Sequence, residues 1–218
     1  MKEIGIGVLG FGTVGVGVVQ ALITNGDLLS DRSGVRLVLR KVVDLDIETD
    51  RGVVLDPGIL STDAADVLQA PDIDIVVELI GGTTTAKDFI IQALSNGKSV
   101  VTANKALLAE CGEDIFKTAS EHQTDLFYEA SVGGGIPVIK ALREGLVANH
   151  IDSIYGILNG TCNYILTRME RDGNAFDEVL KDAQELGFAE AEPGLDIDGL
   201  DTAHKAILLA SIAFGRTV

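Results

Sequence analysis

The sequence predicts an α/β fold: a doubly wound parallel sheet followed by part of a second, α+β domain. Three observations carry this. Short apolar runs alternate with helical patterns from the start of the chain. A glycine loop, Gly10-Phe11-Gly12-Thr13-Val14-Gly15, joins the first apolar run to the first helical pattern. The alternation then changes character near Ile136.

Residues 4–10 read as a short buried strand. Residues 13–29 read as one helix, with Val14, Val18, Ala21 and Leu22 at helical spacing. Residues 35–44 and 73–80 read as two further strands. Residues 84–95 form a helix with Asn96-Gly97 as its C-cap. Residues 99–102 form a short strand, Lys105 opens another helical region, and residues 126–129 give one more strand. Strands separated by helices pair in parallel. Past Ile136, residues 137–145 read as helical and 150–158 as one long strand. Helices follow at 160–171, 176–186 and, after an acidic loop, 200–214. This divides the chain into residues 1–135 and 136–218, with the switch between Gly133 and Asn149. The sequence stops directly after a helix, without a tail, which predicts that the natural protein continues.

Composition excludes several classes. The 218 residues carry 17 basic and 33 acidic side chains, a formal charge of −16, and 46% are hydrophobic. Such a chain can bury a core and repels phosphate polymers, so nucleic acid is not expected as a partner. The charge itself needs no role beyond solubility. No run of about 20 apolar residues is present to span a bilayer. Cys111 and Cys162 have neither metal-type nor disulfide-framework spacing, and no signal segment precedes the first strand, so a cytoplasmic protein is expected.

The glycine loop is Rossmann-type in its context, strand before and helix after. Gly10 permits the tight turn, Gly12 lets a pyrophosphate approach the backbone, and Gly15 lets helix and strand pack closely. Phe11, Thr13 and Val14 complete the loop, and the helix N-terminus offers N–H groups to phosphate. Asp44 ends the second strand about 30 residues past Gly15, where roughly 20 is usual. A carboxylate there accepts from the adenosine ribose hydroxyls and argues for NAD. Arg40 and Lys41 stand nearby, which leaves NADP open. The plainer readings are a ligand-free β–α turn and a strand-end turn residue.

Further segments are polar or glycine-rich beyond the needs of a core: Glu78-Leu-Ile-Gly-Gly82, Thr102-Ala-Asn-Lys105, Tyr128-Glu-Ala-Ser-Val-Gly-Gly-Gly-Ile-Pro137 and Gly156-Ile-Leu-Asn-Gly-Thr-Cys-Asn-Tyr164. An acidic loop leads into Asp201-Thr-Ala-His-Lys205. Asp201 and Lys205 share one helix face, where the plain reading is a surface ion pair worth a few tenths of a kcal/mol. A calcium loop from Asp196, Asp198 and Asp201 is a weaker alternative, since EF-hand spacing is missing.

Taken in order, these motifs resemble homoserine dehydrogenases over residues 7–215. The resemblance implies an NAD(P)-dependent oxidoreductase that interconverts L-homoserine and L-aspartate 4-semialdehyde, on the route to threonine, isoleucine and methionine. It implies a dinucleotide domain followed by part of a substrate/dimerisation domain. By the same likeness Lys205 is the proton donor, Glu190 holds the substrate ammonium, and Asp201 is a further carboxylate of the site. Lys105 lies near nicotinamide and substrate, and Gly82 belongs with the cofactor loop. Glu129, with the backbone oxygens of Val132, Gly134 and Ile136, matches a sodium site. Many members carry an arginine after the second strand, where Leu45 stands here. Members continue with more sheet that helps form a homodimer, and often with a regulatory ACT domain.

The chemistry agrees with the residues. Hydride addition to an aldehyde develops negative charge on oxygen, so a cation or acid must sit beside it. Lys105 and Lys205, from opposite domains, are expected to converge there. Glu190 suits an ammonium, and the turn at Asn159-Gly-Thr161, before a helix, can supply N–H groups to a carboxylate. Two other readings compete: a different amino-acid or sugar oxidoreductase on this fold, and a nucleotide-sensing module without turnover.

Overall fold

In the computed structural model, residues 1–215 are described, and the chain divides into two compact units, Met1–Ser131 and a second from Val132 onward. Residues 216–218, where the sequence ends, lie outside the described residues.

The first unit holds a six-stranded sheet in the order β3-β2-β1-β4-β5-β6. Its elements are β1 (Lys2–Leu9), α1 (Thr13–Thr24), α2 (Gly26–Ser33), β2 (Val35–Val43), β3 (Leu60–Ser61), α3 (Ala65–Leu68), β4 (Ile75–Glu78), α4 (Thr85–Ser95), β5 (Ser99–Thr102), α5 (Lys105–His122) and β6 (Leu126–Phe127). All five pairings are parallel, as strands separated by helices require. The order reverses between β1 and β4, and ligands in such sheets lie beyond the carboxyl ends of the strands at that point. Ile6, Val8, Phe11, Val42 and Val77 close around Val19 of α1 to make one core cluster.

The helix expected over residues 13–29 is two helices. Asn25 leaves helical geometry between them (φ −109°, ψ 16°), and Gly26 starts the second. The strand expected over 126–129 ends at Phe127, and Glu129–Ser131 turns as a 3-10 helix. β3 and α3 had no sequence signal, being a two-residue edge strand and a single turn.

The second unit is helical among the described residues: α6 (Val138–Lys140), a π-helical turn (Ala141–Gly145), α7 (Gly160–Asp172), α8 (Phe176–Glu185), α9 (Gly194–Ile197) and α10 (Leu200–Phe214). α7 and α8 pack through Ile165, Val179 and Ala183, with Ala189. The long strand expected over residues 150–158 is not formed. That segment has no regular structure, and Tyr155 and Ile157 are 92% and 73% exposed. A strand needs a neighbour to take its backbone hydrogen bonds, and no strand of this unit lies among the described residues. No described helix is long and apolar enough to cross a membrane.

Candidate functional site

The glycine loop leaves β1 at its carboxyl end. Gly10 has φ +100°, and a Cβ there would meet the Leu79 carbonyl group at 2.7 Å. A Cβ on Gly15 would stand 2.1 Å from the Gly10 oxygen. Both positions therefore exclude a side chain, which is why turn and helix can approach so closely. Gly12 differs: nothing lies within 4 Å of where its Cβ would be. It is the exposed N-cap of α1 and makes no side-chain cap hydrogen bond, and Thr13 and Val14 beside it are exposed. The helix start thus presents open space and main-chain N–H groups, the surroundings a pyrophosphate needs.

Asp44 follows β2. Its Oδ2 accepts from the Phe11 N–H at 2.6 Å and its Oδ1 from the Asp46 N–H at 2.9 Å, so it ties the glycine loop to its own turn. Arg51, which the sequence did not mark, reaches the same place. It donates to the Phe11 and Asp46 carbonyls at 3.0 and 2.9 Å, stands 3.4 Å from Asp44 Oδ1, and lies over the Phe11 ring at 5.5 Å. Arg40 and Lys41, the basic residues that kept NADP open, are engaged elsewhere. Arg40 pairs with Glu3 at 3.0 Å and Asp72 at 3.6 Å, and Lys41 donates to the Gly58 carbonyl. Leu45 is 93% exposed and makes no part of this cluster.

The next two strand ends are joined through a buried carboxylate. Glu78 is fully buried and accepts from Ile80 N–H, Gly81 N–H and the Thr102 hydroxyl. Three donors satisfy the polar oxygens of a carboxyl group that burial without partners would penalise. Thr102 in turn accepts from Asn104 N–H, and Asn104 caps α5 while its Nδ2 holds the Gly82 carbonyl at 2.7 Å. Lys105 is the first residue of α5. A cation at a helix N-terminus opposes the dipole, so this lysine is placed against local helix stability.

In the second unit a cleft of about 610 Å³ is lined by Asn159, Gly160, Thr161, Tyr164, Gly187, Phe188, Asp196, Asp201 and Lys205. Lys205 Nζ donates to Asp201 Oδ2 at 2.6 Å and to the Leu158 carbonyl at 2.7 Å. The pair is no surface ion pair, since the side chains are 19% and 10% exposed. Asn159 Nδ2 donates to Asp196 Oδ1 at 2.8 Å and to Asp201 Oδ2 at 2.9 Å, while its Oδ1 caps α7 through Cys162 N–H. Burial first, then Asp196 and Asp201, push the Cys162 thiol above its ordinary pKa. Thr161 uses its hydroxyl on the Phe188 carbonyl at 2.7 Å. Glu190 is exposed, and Gln184 holds its backbone oxygen at 3.1 Å. No cluster of three His, Cys, Asp or Glu suited to a metal lies among the described residues, so Asp196, Asp198 and Asp201 make no calcium loop.

Of the expected sodium ligands, Glu129 sits in the 3-10 turn of the first unit. Val132, Gly134 and Ile136 belong to the second, where the Ile136 carbonyl already accepts from Val138 N–H at 2.8 Å. Lys105 and Lys205, likewise, are each placed within their own unit.

Comparison with known proteins decides the family. The profile described as "Homoserine dehydrogenase, NAD binding domain" matches residues 10–129, and that of "Homoserine dehydrogenase" matches residues 137–218. The chain belongs to the homoserine dehydrogenase family. It is 44% identical to homoserine dehydrogenase of Bacillus subtilis over 100% of this chain and 50% of that protein. It is 48% identical to that of Synechocystis over 98% of this chain and 49% of the other. A crystal structure of a homoserine dehydrogenase from Thiobacillus denitrificans superposes with a TM-score of 0.91 at 48% identity, covering 99% of this chain and 50% of that one. A hyperthermophilic archaeal homoserine dehydrogenase in complex with NADPH matches at 27% identity and a TM-score of 0.81, over 99% of this chain and 71% of that one. The chain thus spans about half the length of the curated relatives it matches.

Proposed function

We propose that this chain belongs to an enzyme that interconverts L-homoserine and L-aspartate 4-semialdehyde with a nicotinamide dinucleotide. The observation that carries this is the Lys205 ammonium in the polar cleft, held by Asp201 and the Leu158 carbonyl. Two of its three N–H donors are used among the described residues, and the third is left for a substrate oxygen. Lys205 passes a proton to the oxygen on which charge develops during reduction, and takes it back during oxidation. Asp201 pairs with the ammonium between turnovers. Glu190 binds the substrate ammonium. The Gly160 and Thr161 amides, which precede the capped Cys162 N–H at the start of the 13-residue helix α7, receive the substrate carboxylate. Lys105 is assigned to the same reaction as a second cation near the nicotinamide.

The dinucleotide, when bound, supplies the hydride acceptor or donor. The residues that fit it are Gly10 to Gly15 at the start of α1, with Asp44 at the ribose and Gly82 at the neighbouring loop. Four carboxylates, Asp44, Asp46, Glu48 and Asp50, outnumber the one cation, Arg51, in residues 44–51, which favours a free 2′-hydroxyl and hence NAD over NADP. To the same reading belong a sodium ion on Glu129 and the carbonyls of Val132, Gly134 and Ile136, and a cytoplasmic homodimer of the complete protein.

Kinetics on the complete protein test the proposal. Oxidation of L-homoserine with NAD or NADP, and no oxidation of L-aspartate or hexoses, is the expected outcome. Turnover of the latter in place of homoserine would replace it with another oxidoreductase. Tight dinucleotide binding with no turnover of any alcohol would replace it with a sensing module.

A further inference from the structure

We infer that Asn159 is a positioning residue for Lys205: its side-chain amide fixes the Asp201 carboxylate, and through it the seat of the ammonium. The inference rests on the proton-transfer role proposed for Lys205. Asn159 is 7% exposed and uses both ends of its amide. Its oxygen takes Cys162 N–H at 2.8 Å, and its nitrogen gives one hydrogen each to Asp196 Oδ1 and Asp201 Oδ2, at 2.8 and 2.9 Å. The amide cannot flip, because the reversed group would set its oxygen against two carboxylates and its NH₂ against a helix N–H. One side chain thereby joins the starts of α7, α9 and α10.

Two details point from this knot to Lys205. Asn159 Nδ2 and Lys205 Nζ converge on the same oxygen, Asp201 Oδ2. The other anchor of the ammonium is the carbonyl of Leu158, the residue just before Asn159. Lys205, Asp201 and residues 158–159 therefore close a ring, and displacing Asn159 loosens both anchors at once. A neutral amide suits this position. It orients Asp201 without neutralising it, whereas a cation would compete with Lys205 for the charge. Charged or ionisable groups at the ring include Asp196 on α9, Asp201 and Lys205 on α10, and Cys162 on α7, with Tyr164 of α7 lining the same cleft.

Two variants separate positioning from helix capping. Asn159→Ser keeps an N-cap side chain and is too short to bridge both carboxylates, whereas Asn159→Ala loses cap and bridge. In the 218-residue chain, acetylation of Lys205 is followed by mass spectrometry, with the 77%-exposed Lys181 as internal standard. Positioning requires the Lys205 rate to rise about 5-fold or more in both variants, roughly the effect of one lost hydrogen bond. In the complete protein it requires kcat to fall about tenfold in both, with the dinucleotide KM within about 2-fold of the parent and a lower Tm in Asn159→Ala alone. An Asn159→Ser protein with the parent's labelling rate and kcat overturns the inference and leaves Asn159 as a cap. Lys205→Ala is run alongside. If it retains turnover, the proton-transfer reading falls and the inference falls with it. If it is inactive while Asn159→Ser is normal, the inference falls alone.

Discussion

The two units build their candidate sites from different materials. Around Gly10 to Gly15 the site is main chain: close backbone contacts at Gly10 and Gly15, an open position at Gly12, and helix N–H groups. Around Lys205 it is side chain: one ammonium, two carboxylates and an amide, half-buried and mutually hydrogen-bonded. A polyphosphate needs many fixed donors and close approach, which backbone provides without titration. A proton transfer needs a group that can change its charge, which backbone cannot do.

The largest effect should come from the side-chain site. Lys205→Ala in the complete protein should lower turnover at least ~100-fold, the low end for acid–base catalysis, and leave dinucleotide binding intact. Equal losses in both would erase the contrast.

The backbone site should respond the opposite way, through stability at two glycines and through binding at the third. Gly10→Ala should cost about 3 kcal/mol, since φ +100° is strained for alanine and its Cβ meets the Leu79 carbonyl group. Gly12→Ala should cost under about 1 kcal/mol, as φ is −69° and the space is open. It should nonetheless weaken NADH binding about tenfold or more by filling that space. Denaturant melts and NADH fluorescence titrations on the 218-residue chain read the two separately.

Cofactor choice sharpens the picture further. NADH should bind more tightly than NADPH, and Asp44→Ala should move the ratio of dissociation constants toward NADPH by about tenfold as Arg51 loses a carboxylate partner. An unchanged ratio would remove Asp44 from discrimination.

The smallest effect is a titration beside Lys205. Burial and two carboxylates raise the Cys162 pKa, so the folded chain holds the thiol proton more tightly than the unfolded chain. Its contribution to stability is intact below the usual thiol value of about 8.5 and is lost as pH rises through the raised folded value. Alkylation of Cys162 in a Cys111→Ser background should need more alkaline pH than a free thiol, and Asp196→Asn should reverse part of that shift.

Spacing made the first unit legible. Strand, glycine loop and helix follow each other directly, and β5 and the start of α5 fall on the residues that the pattern marks, as does α10 in the second unit. Local patterning fails where partners are remote. Residues 150–158 carry a strand-like pattern, yet no described strand in their unit pairs with them. Arg51 gives no sign in sequence that its guanidinium returns to Phe11, a contact 40 residues back.

By itself the sequence determined the parallel sheet, the open loop at Gly12 and the residue types needed for hydride and proton chemistry, because each is encoded by near neighbours along the chain. Only the tertiary structure decided which polar groups meet. It engaged Arg40 and Lys41 with Glu3 and the Gly58 carbonyl and brought Arg51 to Asp44 and Phe11. It also placed Asn159 between two acids 37 and 42 residues ahead. Hydrogen bonds act over about 3 Å, and separation along a folded chain does not say which groups come that close.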